Sequence, residues 1–177
     1  MTTQPPPAPP ADEKDWTAVL TAGCSQCGFS PEHDPATTGE RIRATVLRWQ
    51  SALSGLDVKE RPRAEVWSPL EYACHVRDVF RVFSVRLGLM LATDGARFDN
   101  WDQDEAAVSG AYWSQDPSAV AEELAEAGES LAAAFDAVPE DAWGNRGLRS
   151  NGAEFTVATF AAYLLHDIEH HLHDVDA

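Results

Sequence analysis

The stretch SPLEYACHVRDVFRVF, residues 68–83, carries the clearest helix start in the chain. Ser68 can accept a backbone N–H as N-cap, Pro69 suits the first helical position, and Glu71 can reach back to the cap. At about 100° per residue, Tyr72, His75, Val79, Val82 and Phe83 share one face, while Arg77, Arg81 and Ser84 lie away from it. The pattern predicts a long helix, to about residue 91, that carries His75 inward with its apolar side.

Working outward, Thr37 and Glu40 stand at capping-box spacing before Ile42, Val46, Trp49 and Leu53, which predicts an amphipathic helix over about 38–53. Asp116 and Pro117 open a third helix, with Val120, Leu124, Leu131, Phe135 and Val138 at helical spacing until Pro139 stops it. A fourth is expected over 156–175. Residues 93–116 are long for a connection between packed helices, and a short helix is expected near 102–111. With no convincing alternating strand run, the expected fold class is all-α: a four-helix bundle with a long loop between helices 2 and 3.

The chain has 177 residues, enough for one domain with a buried core. Residues 1–14 hold five prolines and few apolar side chains, so they are expected to be a disordered tail ahead of a single domain over 15–177. Lys and Arg total 13 against 29 Asp and Glu, a net charge of -16 that argues against nucleic acid and anionic membrane surfaces as partners. No run approaches the roughly 20 apolar residues of a membrane span, and the start lacks the pattern of a signal peptide. Cytoplasmic location is the expectation, and the three cysteines are read as thiols rather than a disulfide framework.

Near the C-terminus, YLLHDIEHHLHDV (163–175) places four histidines within eight positions. His166 and His170 are one turn apart and can converge on one ion, whereas His171 points elsewhere and His173 lies one turn beyond that face. A third ligand must come from another helix, and His75 is the inward candidate. Three imidazoles would leave an open position on zinc, the pattern of catalytic sites. A lone inward histidine is more often a hydrogen-bonded core residue. Moreover, Leu164, Ile168 and Leu172 lie opposite His166 and His170, so the site requires a last helix covered on both faces; Thr159 and Ala162 allow a close neighbour there. Cys24 and Cys27 form a CxxC within CSQCGF, which suits half of a zinc knuckle with His33 as a third ligand, a redox pair, or plain loop cysteines. Cys74 reads as a small buried residue.

SPLEYACH, with Trp67 before it, and HDIEH (166–170) together resemble the paired signatures of the DinB-like family, the thiol S-transferase superfamily. FDNWDQD (98–104) looks like the interhelical loop of its actinobacterial branch. The resemblance implies an up-down-down-up four-helix bundle, often a homodimer, holding a divalent ion, commonly zinc or nickel, on residues matching His75, His166 and His170. It also implies activities such as mycothiol-dependent isomerisation and bacillithiol S-transfer.

An open-site ion can produce a thiolate or an activated water at neutral pH. The leading expectation is a metal-dependent thiol S-transferase that uses a small thiol, mycothiol, against a small electrophile. The alternatives are a non-catalytic metal-bearing binding module and a metal-dependent hydrolase. Asp102 and Gln103 are candidates to orient substrate and Trp101 to cover the cavity. Asp78 and Glu169 are candidates to accept from a ligand imidazole, and Tyr72 and Tyr163 to donate a proton; each has a plain packing or surface role as its alternative. His173 is either a supporting group or an exposed end.

Overall fold

The computed structural model describes residues 6, 7, 9 and 14–177. The tail expected over 1–14 therefore lies, apart from Pro6, Pro7, Pro9 and Lys14, outside the described residues. Among the described residues six α-helices follow one another: α1 (Val19–Ala22), α2 (Thr38–Leu53), α3 (Pro69–Ala92), α4 (Gln103–Ser109), α5 (Pro117–Asp136) and α6 (Val157–Asp174). Three short strands, β1 (Ala96–Phe98), β2 (Arg146–Arg149) and β3 (Glu154–Thr156), form a sheet in that order. β1 and β2 are parallel; β2 and β3 are antiparallel, with Gly147 opposite Phe155.

The expected up-down-down-up four-helix bundle is thus corrected. The all-α character holds and the short helix expected near 102–111 is α4, but α1 is an additional helix, and the stretch between α3 and α5 also contains β1 and a 3-10 turn at Tyr112–Ser114. The reason is length. A helix of four residues and strands of three or four are too short to show a period in the sequence.

Local chemistry explains the long helices. At α3 the Ser68 side chain accepts from the Glu71 N–H at 3.3 Å, and Glu71 Oε2 accepts from the Ser68 N–H at 2.9 Å. Glu71 also receives Arg61, whose Nε donates at 2.8 Å, so the buried carboxylate is paired. Asp116 caps α5 through the N–H groups of Ser118 and Ala119. At α2 the expected Thr37–Glu40 box does not form. Instead, Asp34 caps a 3-10 turn, Pro35–Thr37, that leads into the helix, and the Thr37 hydroxyl donates to the Asp34 carbonyl.

α5 packs most extensively on α2 and α3. The close approach depends on Gly128, where an added Cβ would collide with Val46 and come within 3.1 Å of the Phe80 ring. α3 and α6 run antiparallel: His75, early in α3, meets His171, late in α6, with ring centroids 4.9 Å apart. Phe83 meets Phe160 at 4.3 Å toward the other end. β3 leads directly into α6 and β1 follows α3, so the sheet caps the far end of this pair. α6 is buried on both sides, with Leu164, Ile168 and Leu172 in the core and His166 and His170 buried opposite them.

Candidate metal centre

α6 carries two one-turn pairs of donors on adjacent faces: 166/170 and 167/171. A step of one residue turns the helix by about 100°, so the two pairs serve different neighbours. His166 and His170 meet Cys24 and Cys27 of the loop after α1, with ligand atoms from all four within 4.8 Å of one another. Asp167 and His171 meet His75 of α3 under the same limit. The structure therefore brings His166 and His170 together, but places His75 beside Asp167 and His171.

In the second group, His75 Nε2 lies 3.4 Å from Asp167 Oδ1. Neither atom has a hydrogen-bond partner, and His75 Nδ1 is also buried without one. Each such orphan costs about 1–3 kcal/mol in a folded protein, so a buried imidazole with both nitrogens unmet needs an explanation. A metal ion provides one. With bonds of about 2.0–2.1 Å, two donors on a tetrahedral ion sit about 3.3–3.4 Å apart, which matches this pair. His171 fits as third donor. Its Nδ1 contacts Asp174 Oδ2 at 2.8 Å, which fixes the ring proton there and turns Nε2 toward Asp167 Oδ1 at 3.8 Å.

The electrostatics agree with neutral imidazoles beside a carboxylate. Burial holds His75 below its ordinary pKa, and burial together with His170 brings His166 down to about 4. His170 is likewise lowered by burial. Burial acts to raise Asp167, but His75, His171 and His166 outweigh it and hold the carboxyl below its usual range. In the loop, burial opposes ionisation of both thiols. At Cys24 the N–H groups of Cys27 and Gln26, the Cys27 side chain and Lys14 reverse the balance and lower its pKa, while Cys27 stays raised.

A cleft of about 320 Å³ borders both groups, walled by Trp16, Trp67, Tyr72, Gln103 and Tyr163 together with His166, Asp167, His170 and His171. His75 lies beneath this wall, held between Trp101, stacked at 5.5 Å and 15°, and Trp67 at 5.5 Å. Tyr72 faces His171, with ring centroids 5.0 Å apart, and burial pushes its phenol up to about 12. Tyr163 packs on Phe155 at 5.3 Å.

The remaining candidates are engaged elsewhere. Asp78 receives Arg77, Arg81 and the Tyr112 hydroxyl, the last at 2.5 Å. Arg77, expected away from the apolar face, is buried because this carboxylate, Gln115 and Glu123 satisfy its guanidinium. Glu169 forms a forked pair with Arg41. Asp102 caps α4 through the N–H groups of Asp104 and Glu105. His33 contacts the Pro31 carbonyl at 3.3 Å and belongs to neither group. His173 is exposed. Asp167 and His171 are possible donors that the sequence reading did not single out; the one-turn spacing D-x-x-x-H, in register with H-x-x-x-H, was the available signal.

The comparisons with known proteins follow the same outline. The model of the DinB superfamily matches residues 38–175, a span that begins after the two loop cysteines. No curated protein matches the chain. Among solved structures, the fold is similar to that of YfiT from Bacillus subtilis, described as a probable metal-dependent hydrolase with an unusual four-helix bundle topology. The TM-score is 0.71 at 14% identity, over 84% of this chain and 90% of that one, a likeness of fold.

Proposed function

The chain belongs to the DinB superfamily, and from that premise we propose that it is a metal-dependent hydrolase of a small molecule, with His75, Asp167 and His171 as the ligands. The observation that carries this reading is the buried His75 imidazole, both nitrogens unmet, 3.4 Å from an equally unmet Asp167 oxygen at the edge of a cleft. A divalent ion held by three donors with one side toward that cleft would supply Lewis acidity, lowering the pKa of water into the neutral range and polarising a scissile carbonyl or phosphoryl group.

The chain's own residues supply the rest. Trp101 and Trp67 fix the plane of His75 from two sides. Asp174 keeps the His171 proton on Nδ1, so Nε2 presents its lone pair. Tyr72, a phenol protonated at neutral pH that burial pushes further up, would be a donor at the cleft for negative charge that develops on substrate oxygen. The cleft, about 320 Å³ with Trp16, Trp67 and Tyr72 in its wall, suits a small substrate.

Water is favoured over a thiol as nucleophile by the description of the Bacillus subtilis relative. Thiol transfer with mycothiol would use the same open side and differ in the occupant. The test is a panel of ester, amide and phosphoester substrates assayed on metal-loaded protein, on His75→Ala and on His171→Ala, with S-conjugate formation from mycothiol measured in parallel. Hydrolysis lost in both variants is the expected result. Conjugation without hydrolysis would replace water by thiol, and neither reaction across the panel would favour a binding module.

A further inference from the structure

The second donor group lies outside the machinery just described, and its chemistry differs. We propose that Cys24, Cys27, His166 and His170 form a closed Cys2His2 zinc site that staples the loop after α1 to the last helix. Zinc sites with four protein ligands are structural, whereas three ligands and an open side mark the catalytic kind. The two groups on α6 divide along that line.

The geometry is specific. Cys24 Sγ lies 3.7 Å from His170 Nδ1. Bonds of about 2.3 Å to sulfur and about 2.0–2.1 Å to nitrogen place such donors about 3.6 Å apart on a tetrahedral ion. His166 Nε2 is buried with no hydrogen-bond partner. His170 Nε2, its other nitrogen, points to Asp174 Oδ1 at 3.7 Å. Cys24, His166 and His170 are buried.

The loop is shaped for the purpose. Gly23 ends α1 at φ 68°, where an added Cβ would stand 2.6 Å from the Phe29 carbonyl oxygen. The Cys24 N–H donates to that carbonyl at 2.9 Å, and the Gly28 N–H donates to the Cys24 carbonyl at 2.9 Å. Gly28 turns the chain at φ 77°. Both thiols thus leave a tight turn toward α6. Both are free cysteines, and the 3.7 Å contact of Cys24 Sγ with His170 Nδ1 is a weak one for a buried sulfur and a buried imidazole. Binding would release both thiol protons to solvent, with the imidazoles entering neutral.

The test is titration of the apo full-length protein with Co²⁺, followed by zinc analysis of the protein as purified under reducing conditions. The expected result is thiolate-to-cobalt charge transfer with intense tetrahedral d–d bands, displaced by one equivalent of zinc. This readout needs no variant. A Cys24→Ser/Cys27→Ser double variant should lose the charge-transfer band and one equivalent of metal, while His75→Ala should keep the band and lose only the other equivalent. A wild-type spectrum with nitrogen and oxygen ligands alone, or a Cys24–Cys27 disulfide in protein kept reduced, would overturn the proposal. Because His75→Ala spares this signal, failure of the hydrolase reading and failure of the staple are distinguishable.

Discussion

Asp174 stands between the two donor groups, with Oδ2 on His171 Nδ1 and Oδ1 facing His170 Nε2. One carboxylate therefore orients an imidazole of each group, and both histidines depress its pKa against the effect of burial. Loss of such a supporting acceptor weakens metal binding by about 10-fold to 100-fold. Asp174→Asn should reduce affinity at the His75 group by that order in a competitive chelator titration, while far-ultraviolet circular dichroism stays unchanged. A second residue-level expectation concerns Asp78. Burial alone would raise its pKa, but hydrogen bonds from Arg77 and Tyr112 outweigh it and hold the carboxyl low in the fold. A depressed folded value means stabilisation that is present above the unfolded carboxyl value of about 3.9 and is lost as pH falls through the folded one. Urea unfolding between about pH 6 and about pH 3 should show the gap between wild type and Asp78→Asn closing as pH falls. At this scale, His75, His166 and His170 were legible as inward donors from helical spacing. Asp167 and His171 were not, because a fixed 100° step from His166 turns them off its face, and only the position of α3 shows that a second set of partners waits there.

The helices were legible wherever a cap and a long apolar stripe coincided. The starts of α3 and α5 follow from Ser68–Pro69 and Asp116–Pro117, and α6 begins at Thr156, whose side chain accepts from the Thr159 N–H. The objection that the leucines of α6 oppose its histidines is met by packing on both sides. Strands escaped notice because Arg146–Arg149 and Glu154–Thr156 pair through backbone, with too few residues to alternate. The fit of α5 between α2 and α3 gives the element-level prediction. Gly128→Ala forces a methyl group against Val46 and Phe80, and overpacking of this kind costs about 1–3 kcal/mol, of which helix propensity returns at most about 1 kcal/mol. The denaturation midpoint should fall without a change in slope, and metal content should be unaffected. An unchanged midpoint would mean that α5 can shift away from its neighbours.

Among the described residues, six helices and a small sheet place the two candidate donor groups at one end of the α3–α6 pair and a backbone clamp at the other. Membership of the superfamily was legible from two short motifs, and the short helix α4 from the length of the connection that holds it; α1 was not, since four residues in a turn-rich segment show no period. The net charge of -16 adds to the attraction of cations and opposes polyanions. Among the described residues, no helix is long and apolar enough to cross a membrane. Metal bound only by the folded state stabilises it by mass action, so chelation should lower the melting temperature, and re-addition of zinc should restore it. The most direct test of the two-group arrangement is X-ray anomalous scattering from crystals grown with zinc. The expected map shows one peak among His75, Asp167 and His171 and another among Cys24, Cys27, His166 and His170. A single peak held jointly by His75, His166 and His170, or no peak at either group, would contradict it.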